Sequence, residues 1–238
     1  MTSPDPIGGG RVVVGPGAIE RYGVPALLVA AGAGLGAALK PFAGWALGLA
    51  WVPLAGPLRL IDALPWLPAL IGGTAVGLLA GLVLAGMAAD EQLFVTVDRD
   101  ELTVRQGQRR VAIARTAVGA VFLDGARLVV LGHRGEELCS RSGDLPAERL
   151  GTALRRHGYP WRPEGDPYRA AYRLWVPGLP DLPDGADPLL SARQRAVERG
   201  DRAEAELLRA ELGRLDVVVR DERVPQAGRR QFWRRAGP

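Results

Sequence analysis

The most conspicuous chemistry in the sequence is a run of basic and aromatic residues at its C-terminal end. Residues 229–235 read Arg-Arg-Gln-Phe-Trp-Arg-Arg, an interleaving that is typical of proteins that bind single-stranded nucleic acid. From Leu189 onward there are twelve arginines against eight aspartates and glutamates, and this surplus of +4 equals the net charge of the whole chain. The pattern predicts contact with RNA or anionic lipid; the alternative is that Phe232 and Trp233 cover a core while the arginines are solvated. The candidate contact residues are Arg229, Arg230, Phe232, Trp233, Arg234 and Arg235.

Residues for catalysis or metal binding are sparse. The chain has two histidines, His133 and His157, and one cysteine, Cys139, so neither an internal disulfide nor a thiolate metal cluster can form. No G-x-S-x-G, P-loop or H-E-x-x-H motif occurs in the sequence. We therefore predict that the protein is not an enzyme and has no catalytic residues, metal, cofactor or small-molecule substrate.

Two long uncharged segments lie in the first third of the chain. The first runs from Val24 to Leu39 and is followed by Lys40 and by Pro41, which is expected to end the helix; the second runs from Trp66 to Ala89. A helix of about 20 residues, rising ~1.5 Å per residue, crosses a hydrocarbon core of about 30 Å, and a helix without a polar face is atypical of soluble proteins. The sequence therefore predicts a transmembrane hairpin over 24–89, with spans 24–40 and 66–89 and an interfacial loop over 41–65.

Glycines recur at every fourth position in both predicted spans. In lipid, glycine lets two helix backbones approach closely, although it costs helix stability in water, ~1 kcal/mol each. We predict that these glycines pack the two spans together; the alternative is that glycine is simply abundant in this sequence, with 32 residues. The predicted packing residues are Gly32, Gly36, Gly73, Gly77 and Gly81.

Basic residues flank the predicted hairpin unevenly. Its loop side holds Lys40 and Arg59, whereas six arginines lie outside its two ends. Because cytoplasmic flanks of transmembrane helices are enriched in Lys and Arg, this asymmetry predicts a multi-pass protein of the plasma (inner) membrane, with both termini cytoplasmic and an N-terminal tail over 1–23. A cleaved signal peptide ending at Gly36-Ala37-Ala38 is the competing interpretation. The six arginines are Arg11, Arg21, Arg99, Arg105, Arg109 and Arg110.

Beyond Asp90 the hydrophobic period shortens to that of β-strands. Short alternating segments follow one another over 93–140, and the turn Asp124-Gly125 strongly indicates a hairpin. Asp144 is expected to cap a helix that ends at Gly158. Five or six antiparallel strands closed by one helix are typical of a small PH-like β-barrel, so we predict an α+β PH-like domain over 90–158. PH-like folds bind lipids or peptides, and a structural or protein-docking role fits equally well.

Prolines mark residues 159–187 as a linker. A short helix over 168–176 is predicted within it, with Tyr168, Tyr172 and Trp175 on one face as a packing stripe or as a platform for stacking bases. Asp187-Pro188 then begins a helix, Asp201 caps a second helix, and two strands follow. The predicted C-terminal module over 188–238 is therefore a helix-helix-β-hairpin unit.

Several motifs follow a fixed order in this module. They are Leu190-Ser191-Ala192-Arg193 with Gly200-Asp201, Ala205 to Leu212, Leu215 with Val217 to Glu222, and a closing Trp233. Their order resembles the C-terminal anticodon-binding domain of cysteinyl-tRNA synthetases, which implies contact with tRNA. Asp216 departs from that family, in which glycine is usual at this position. The synthetase catalytic motifs and zinc-binding cysteines are absent from the sequence, so aminoacylation is excluded.

Two further segments, Phe122-Leu123-Asp124-Gly125 and His157-Gly158-Tyr159-Pro160-Trp161, carry a resemblance that covers the whole chain. Together with the two N-terminal spans, the PH-like middle and the synthetase-like end, they resemble the YqeB family of bacterial membrane proteins. The resemblance implies the architecture and no biochemical activity. We therefore predict a non-enzymatic membrane-anchored adaptor; the alternative is a membrane-tethered tRNA-binding protein that acts through residues 188–238. The expected partners are the membrane, a protein or a second copy of the chain, and tRNA or anionic lipid.

Overall fold

The computed structural model of the 238-residue chain describes residues 10–49, 55–178, 181–224 and 228–237. The described chain combines helices with antiparallel sheets and divides into two compact units. One unit holds residues 15–94 and 105–110, and the other holds the remaining described residues.

Two long helices dominate the first unit. Helices α1 (Val24–Leu47) and α3 (Trp66–Asp90) are long and apolar enough to cross a membrane. The prediction that Pro41 ends the first helix is wrong, since α1 continues through this proline to Leu47. A proline removes one backbone hydrogen bond from a helix interior, and the packing of α1 against α3 keeps the flanking turns helical. The predicted loop contains a further short helix, α2 (Ala55–Asp62), while residues 50–54 lie outside the described chain.

Lys40 links α1 to the end of α2. Its ammonium group donates hydrogen bonds to the carbonyl oxygens of Asp62, at 2.7 Å, and Leu64, at 2.6 Å. The last carbonyls of a helix lack partners within the helix, and the negative end of the helix dipole attracts a cation. The single lysine of the sequence therefore caps the C-terminal end of α2.

Helices α1 and α3 meet at their glycines. A Cβ atom at Gly36 would lie 2.7 Å from the carbonyl carbon of Gly73, and one at Gly77 would lie 2.9 Å from the carbonyl carbon of Gly32. The two backbones thus approach so closely that no larger side chain fits between them. The close approach involves Gly32, Gly36, Gly73, Gly77 and Gly81.

Two paired strands lie before and after the helical hairpin in the sequence. Strand β1 (Val12–Val14) precedes the hairpin and pairs antiparallel with β2 (Leu93–Val97), which follows it. Val14 and Val95 face each other in this pairing and are both buried. The predicted N-terminal tail over 1–23 therefore missed a strand, because three valines are too short a run to show a period; residues 1–9 lie outside the described chain.

Six described strands, β2 to β7, lie in the region predicted to be PH-like, and β1 joins the first of their two sheets. The first sheet has the order β1-β2-β3-β4, and the second has the order β5-β6-β7. The turn at Asp124-Gly125 joins β5 to β6, as predicted, with Gly125 in the left-handed region at φ 59°. The strands after β2 are β3 (Glu101–Gln106), β4 (Arg109–Ala114), β5 (Ala120–Asp124), β6 (Arg127–Leu131) and β7 (Glu137–Ser142).

Helix α4 (Ala147–Arg156) closes this region by burying Leu150 and Leu154. The predicted cap at Asp144 is wrong, because the helix begins after Pro146 and has no side-chain cap. The segment after the helix runs along β5: the Val121 amide donates to the Pro160 carbonyl, and the Arg162 amide donates to the Val121 carbonyl. This pairing occupies the β5 edge, which would otherwise be open to other strands.

The linker is not helical where a helix was predicted. A 3-10 turn at Arg169–Ala171 is followed by a two-residue strand, β8 (Arg173–Leu174), so the prediction of a helix over 168–176 is wrong. Strand β8 pairs with Phe232 and Trp233 near the C-terminus. Tertiary pairing therefore overrides the helical spacing of the aromatic residues.

The C-terminal module follows the predicted order of elements. Helices α5 (Ala186–Arg199) and α6 (Arg202–Arg214) precede the hairpin of β9 (Val217–Val224) and β10 (Gly228–Arg235). The Asp201 side chain accepts a hydrogen bond from the Glu204 amide at 3.0 Å, as predicted for the cap of α6. The module's core consists of Ala186, Leu190, Leu212, Val217, Val219 and Trp233.

A buried arginine joins α5 to the hairpin. Arg193 is 1% exposed and donates two hydrogen bonds to the Asp221 carboxylate, at 2.7 and 2.8 Å, and one to the Gln231 side-chain oxygen, at 2.7 Å. Burial would raise the pKa of the Asp221 carboxyl, but the hydrogen bonds and charge of Arg193 hold this pKa below its ordinary value. The carboxylate is therefore ionised in the folded module and compensates the buried guanidinium.

We expect Gly36→Val to weaken the contact between α1 and α3 by about 1–3 kcal/mol, because an added side chain forces two close backbones apart. Gly34→Val is the matched control, since a Cβ at Gly34 meets nothing within 4 Å on the same helix. Unfolding of each full-length variant in a denaturing detergent, monitored by circular dichroism, measures the loss of stability. Equal losses in the two variants would contradict a packing role for Gly36.

The Asp221 carboxylate is expected to make stability depend on pH. Because the pKa of Asp221 is lower in the folded state, its contribution is present above the ordinary Asp pKa of about 3.9 and is lost as the pH falls below that value. Asp221→Asn should remove this dependence and destabilise the module by about 3–5 kcal/mol, since it leaves the Arg193 charge buried without a counter-charge.

Tryptophan fluorescence during urea unfolding of the detergent-solubilised full-length protein tests this, because Trp175 and Trp233 report on the module's core. Glu211→Gln is the control: it breaks the exposed Arg214–Glu211 pair and should cost about 0.5 kcal/mol or less. If the stability of Asp221→Asn depended on pH as that of the wild-type protein does, Asp221 would not be the source of the dependence.

Candidate interaction surface of the C-terminal module

The β9–β10 hairpin carries the predicted contact residues, and both faces of its base are covered. Val219 and Trp233 lie opposite each other and pack against α5 and α6. Side chains alternate along a strand, so Val218 and its partner Arg234 point to the other face, where they are also buried. The contacts of that second face run to the PH-like region, through arginine side chains.

Arg209 of α6 also contacts the PH-like region. Its Nε and Nη2 atoms donate to the two carboxylate oxygens of Glu137 in β7, at 2.7 and 2.6 Å, and Nη2 also donates to the Val219 carbonyl at 2.7 Å. Burial would lower the pKa of the Arg209 guanidinium, but the charge and hydrogen bonds of Glu137 raise it. Such a bidentate pair fixes geometry as well as charge, so α6 is held in one orientation on β7.

Two further ion pairs join the C-terminal module to the PH-like region. In one pair the arginine belongs to the module, and in the other it belongs to the PH-like region. Arg220 of β9 reaches Asp124 of β5 at 2.9 Å, while Arg127 of β6 reaches Glu206 of α6 at 3.0 Å. All four side chains are partly shielded from solvent. Each region therefore supplies one arginine and one carboxylate, and the two pairs together favour a single placement of one region on the other.

Arg234 is stabilised by a backbone carbonyl and two aromatic rings. It is 3% exposed, and among the described residues no carboxylate lies within ion-pair distance of it. Its Nη2 donates to the Gly135 carbonyl at 2.7 Å, and its guanidinium carbon lies 4.5 Å from the Tyr168 ring centre and 5.3 Å from that of Tyr172. Burial raises the pKa of the Tyr172 hydroxyl although the Arg234 charge opposes the shift. Two aromatic faces thus stabilise the buried cation.

The tip of the hairpin differs from its base because it is exposed. Arg223 lies directly opposite Arg229 across the strands, and like charges in this position repel each other. Arg230 lies opposite Glu222, but the Glu222 carboxylate pairs with Arg220 instead. We call Arg223, Arg229 and Arg230 the hairpin-tip arginines; within the described chain none of them forms an ion pair.

An open concave surface of about 390 Å³ lies beside the tip. Unneutralised guanidinium groups on such a surface suit phosphate or carboxylate groups, which accept their parallel N–H donors. The lining residues are Gln194, Val197, Glu198, Gly228, Arg229 and Arg230.

The six contact residues predicted from the sequence do not form one surface. Arg229 and Arg230 are exposed at the tip, and Arg235 is exposed but donates to the Asp181 carbonyl at 3.0 Å. Phe232 is half-buried beside β8. Trp233 and Arg234, which are 4% and 3% exposed, offer no surface to RNA or lipid.

Sequence reasoning missed Arg223, which completes the exposed cluster. The predicted first strand of the hairpin ended at Asp221, and only the observed register of β9 and β10 places Arg223 opposite Arg229. The stripe of Tyr168, Tyr172 and Trp175 is also divided: the two tyrosines hold Arg234, whereas Trp175 packs in the module core and donates to Asp187 at 2.9 Å.

The surroundings of Cys139 and His133 favour a structural role for both side chains. Burial raises the pKa of the Cys139 thiol to about 11, so it is a neutral thiol near pH 7. A His133 ring nitrogen lies 2.9 Å from the Thr116 carbonyl. Among the described residues, no group of three or more His, Cys, Asp or Glu side chains is arranged to hold a metal ion.

Asp216, which stands where cysteinyl-tRNA synthetases usually have glycine, lies in the left-handed region with φ 56°. Aspartate tolerates this conformation better than most residues with a side chain. Its carboxylate lies 3.7 Å from the Arg134 guanidinium in the turn between β6 and β7. The position therefore keeps the backbone geometry that favours glycine while gaining a charged side chain.

Comparisons with known proteins match two parts of the chain. The profile described as "YqeB-like bacterial PH domain" matches residues 12–162, from β1 to the segment after α4. The profile described as "Cysteinyl-tRNA ligase anticodon binding domain" matches residues 179–234.

A relative that aligns with most of the chain supports the first of these two matches. "Uncharacterized protein YqeB" of Bacillus subtilis (strain 168) is 36% identical over 211 residues, which cover 89% of this chain and 86% of that protein. No solved structure matches the chain significantly. Since one profile spans more than half of the chain and the relative spans most of it, the chain belongs to the family of proteins with a YqeB-like bacterial PH domain.

Proposed function

We propose that the protein is a non-enzymatic, membrane-anchored adaptor that holds its PH-like domain and C-terminal module beside the cytoplasmic face of the plasma membrane. The observation that carries this proposal is the exposure of large apolar side chains along α1 and α3. Leu67 and Val76 of α3 are 63% and 68% exposed, and nine residues correspond to about two and a half helical turns, so they point in opposite directions. Apolar surface on opposite sides of a helix favours a lipid environment.

The strand pairing supports two crossings of the membrane. Strand β1 enters the helical hairpin and β2 leaves it, and the two are neighbours in one sheet. A sheet cannot be divided between the two sides of a bilayer, so the chain must cross an even number of times between these strands. The excess of arginine outside the hairpin favours the cytoplasm for that side. We propose that both termini are cytoplasmic on this basis.

An adaptor role is supported by the way the soluble parts are joined. The buried Arg209–Glu137 pair and the hydrogen bond from Arg234 to the Gly135 carbonyl join the C-terminal module to the PH-like domain. Their joined body presents fixed exposed surfaces, among them the hairpin-tip arginines, rather than two domains that move freely. A rigid surface of this kind suits recognition of a protein partner or a second copy of the chain.

A second function, RNA binding through residues 188–238, is supported by two observations. The anticodon-binding profile covers this module, and the hairpin-tip arginines are exposed and lack ion pairs within the described chain. The buried positions of Trp233 and Arg234 argue for contacts with phosphates rather than with stacked bases. In this alternative the membrane anchor would hold tRNA near the cytoplasmic face.

We expect the full-length protein to sediment with membranes in detergent-free lysate and to resist extraction by alkaline carbonate. Leu79→Arg should reduce the carbonate-resistant fraction, because an arginine at the centre of a transmembrane helix costs about 2.5–3.5 kcal/mol. Leu207→Arg is the matched control, since Leu79 and Leu207 are 62% and 63% exposed but Leu207 lies on α6, outside the spans. Full-length protein that remained in the supernatant would end the membrane proposal.

Titration with total tRNA at two salt concentrations separates the two functions. If the hairpin tip binds RNA, Arg229→Gln/Arg230→Gln should weaken binding and flatten the slope of log affinity against log salt by about 0.7–0.9 per arginine, because fewer counterions are released. Arg149→Gln/Arg156→Gln on the exposed side of α4 is the control, with the same loss of charge. Lack of tRNA binding by the detergent-solubilised full-length protein at low salt would remove the RNA alternative and leave the adaptor.

A further inference from the structure

We infer that Arg21 and Arg105, which both lie over the Phe94 ring near the start of α1 and the end of α3, form a binding site for the phosphate group of an anionic phospholipid. The inference rests on the proposed membrane anchor, because it requires this end of the helical hairpin to lie at the depth of the lipid headgroups. It concerns a site separate from the hairpin-tip arginines and lies within the first unit alone.

The geometry gathers two cations around one ring. The Arg105 guanidinium carbon lies 4.8 Å from the centre of the Phe94 ring, and that of Arg21 lies 5.8 Å from the same centre. Arg21 also lies 5.2 Å from the exposed ring of Tyr22. An arginine over an aromatic face keeps its N–H edge free for an acceptor while the ring orients the guanidinium plane.

Neighbouring backbone holds this arrangement in place. A Cβ at Gly15 would lie 2.6 Å from the Phe94 ring, so the chain packs directly on the ring before α1 begins. The Gln106 side-chain amide donates to the Glu91 carbonyl at 2.9 Å, and Gly107, at φ 55°, approaches the Asp90 carbonyl. The turn between β3 and β4 is therefore fastened to the end of α3, and it carries Arg105 with it.

Within the part of the chain that the structure describes, no counter-charge neutralises the two guanidinium groups. Among the described side chains, no carboxylate lies within 4.0 Å of Arg21 or Arg105. Asp90 and Glu91 end α3 and are exposed, yet neither forms an ion pair with these arginines. Two cations that share one ring repel each other, and an anion that accepts from both would relieve this repulsion.

The position of the pair selects a lipid phosphate as that anion. Arg21 is the first residue of the apolar segment Arg21–Leu47, so in the anchored protein it lies where the hydrocarbon meets the headgroups. Tyr22 has the amphipathic ring that is enriched at this depth. Anionic headgroups are concentrated at the cytoplasmic surface, and each arginine near that surface gains from their potential.

Native mass spectrometry of the detergent-solubilised full-length protein, titrated with phosphatidylglycerol or phosphatidylcholine, tests the site. We expect wild-type protein to retain phosphatidylglycerol preferentially and each of Arg21→Gln and Arg105→Gln to reduce this preference about fivefold. Phe94→Leu should also reduce it, although it changes no charge, because the ring orients both guanidinium groups. Arg149→Gln/Arg156→Gln, which removes two charges from α4, should leave it unchanged.

The outcomes separate this site from the membrane proposal. Wild-type protein that resists carbonate extraction but shows no preference for phosphatidylglycerol would overturn the site and leave the anchor intact. Protein that is not in the membrane fraction would overturn both. An equal loss of preference in the α4 control would show general charge attraction and refute the site, as would displacement of the lipid by millimolar inorganic phosphate, which would identify a soluble anion as the ligand.

Discussion

The pairing of β1 with β2 is the constraint on which the architecture depends. Only three residues on each strand take part, and burial of Val14, Val95 and Val97 stabilises the pairing. Because this pairing joins the chain before the helical hairpin to the chain after it, both open ends of the hairpin belong to one sheet. It also explains why a single family profile covers the helices and the sheets together, since the hairpin is an insertion between neighbouring strands of the same domain.

Buried arginines determine how the C-terminal half is assembled. Arg193 is compensated by a carboxylate of its own module, Arg209 by a carboxylate of the PH-like domain, and Arg234 by two tyrosine rings and a carbonyl. A buried charge that loses its partner is strongly destabilising, so each of these arrangements specifies one geometry. Part of the basic surplus of this region is therefore internal, and another part is exposed, for example at the hairpin tip.

Elements with strong local signals could be predicted from the sequence, and elements created by pairing could not. The uncharged runs that became α1 and α3, the Asp124-Gly125 turn and the Asp201 cap depend on residues close together in the chain. Strands β1 and β8, with three and two residues, exist only because a distant strand offers hydrogen-bond partners. The continuation of α1 through Pro41 likewise depends on packing that proline chemistry alone does not reveal.

By itself, the sequence determined which segments are too apolar to be stable alone in water and which residue types are available for binding, because hydropathy and charge belong to the residues themselves. Only the tertiary structure decided which of those residues face solvent. Arg229 and Arg234 are the same residue type on one strand, yet one is exposed and the other is 3% exposed. The difference arises because the PH-like domain covers the base of the hairpin and not its tip, and the burial of a strand residue depends on what packs against each face.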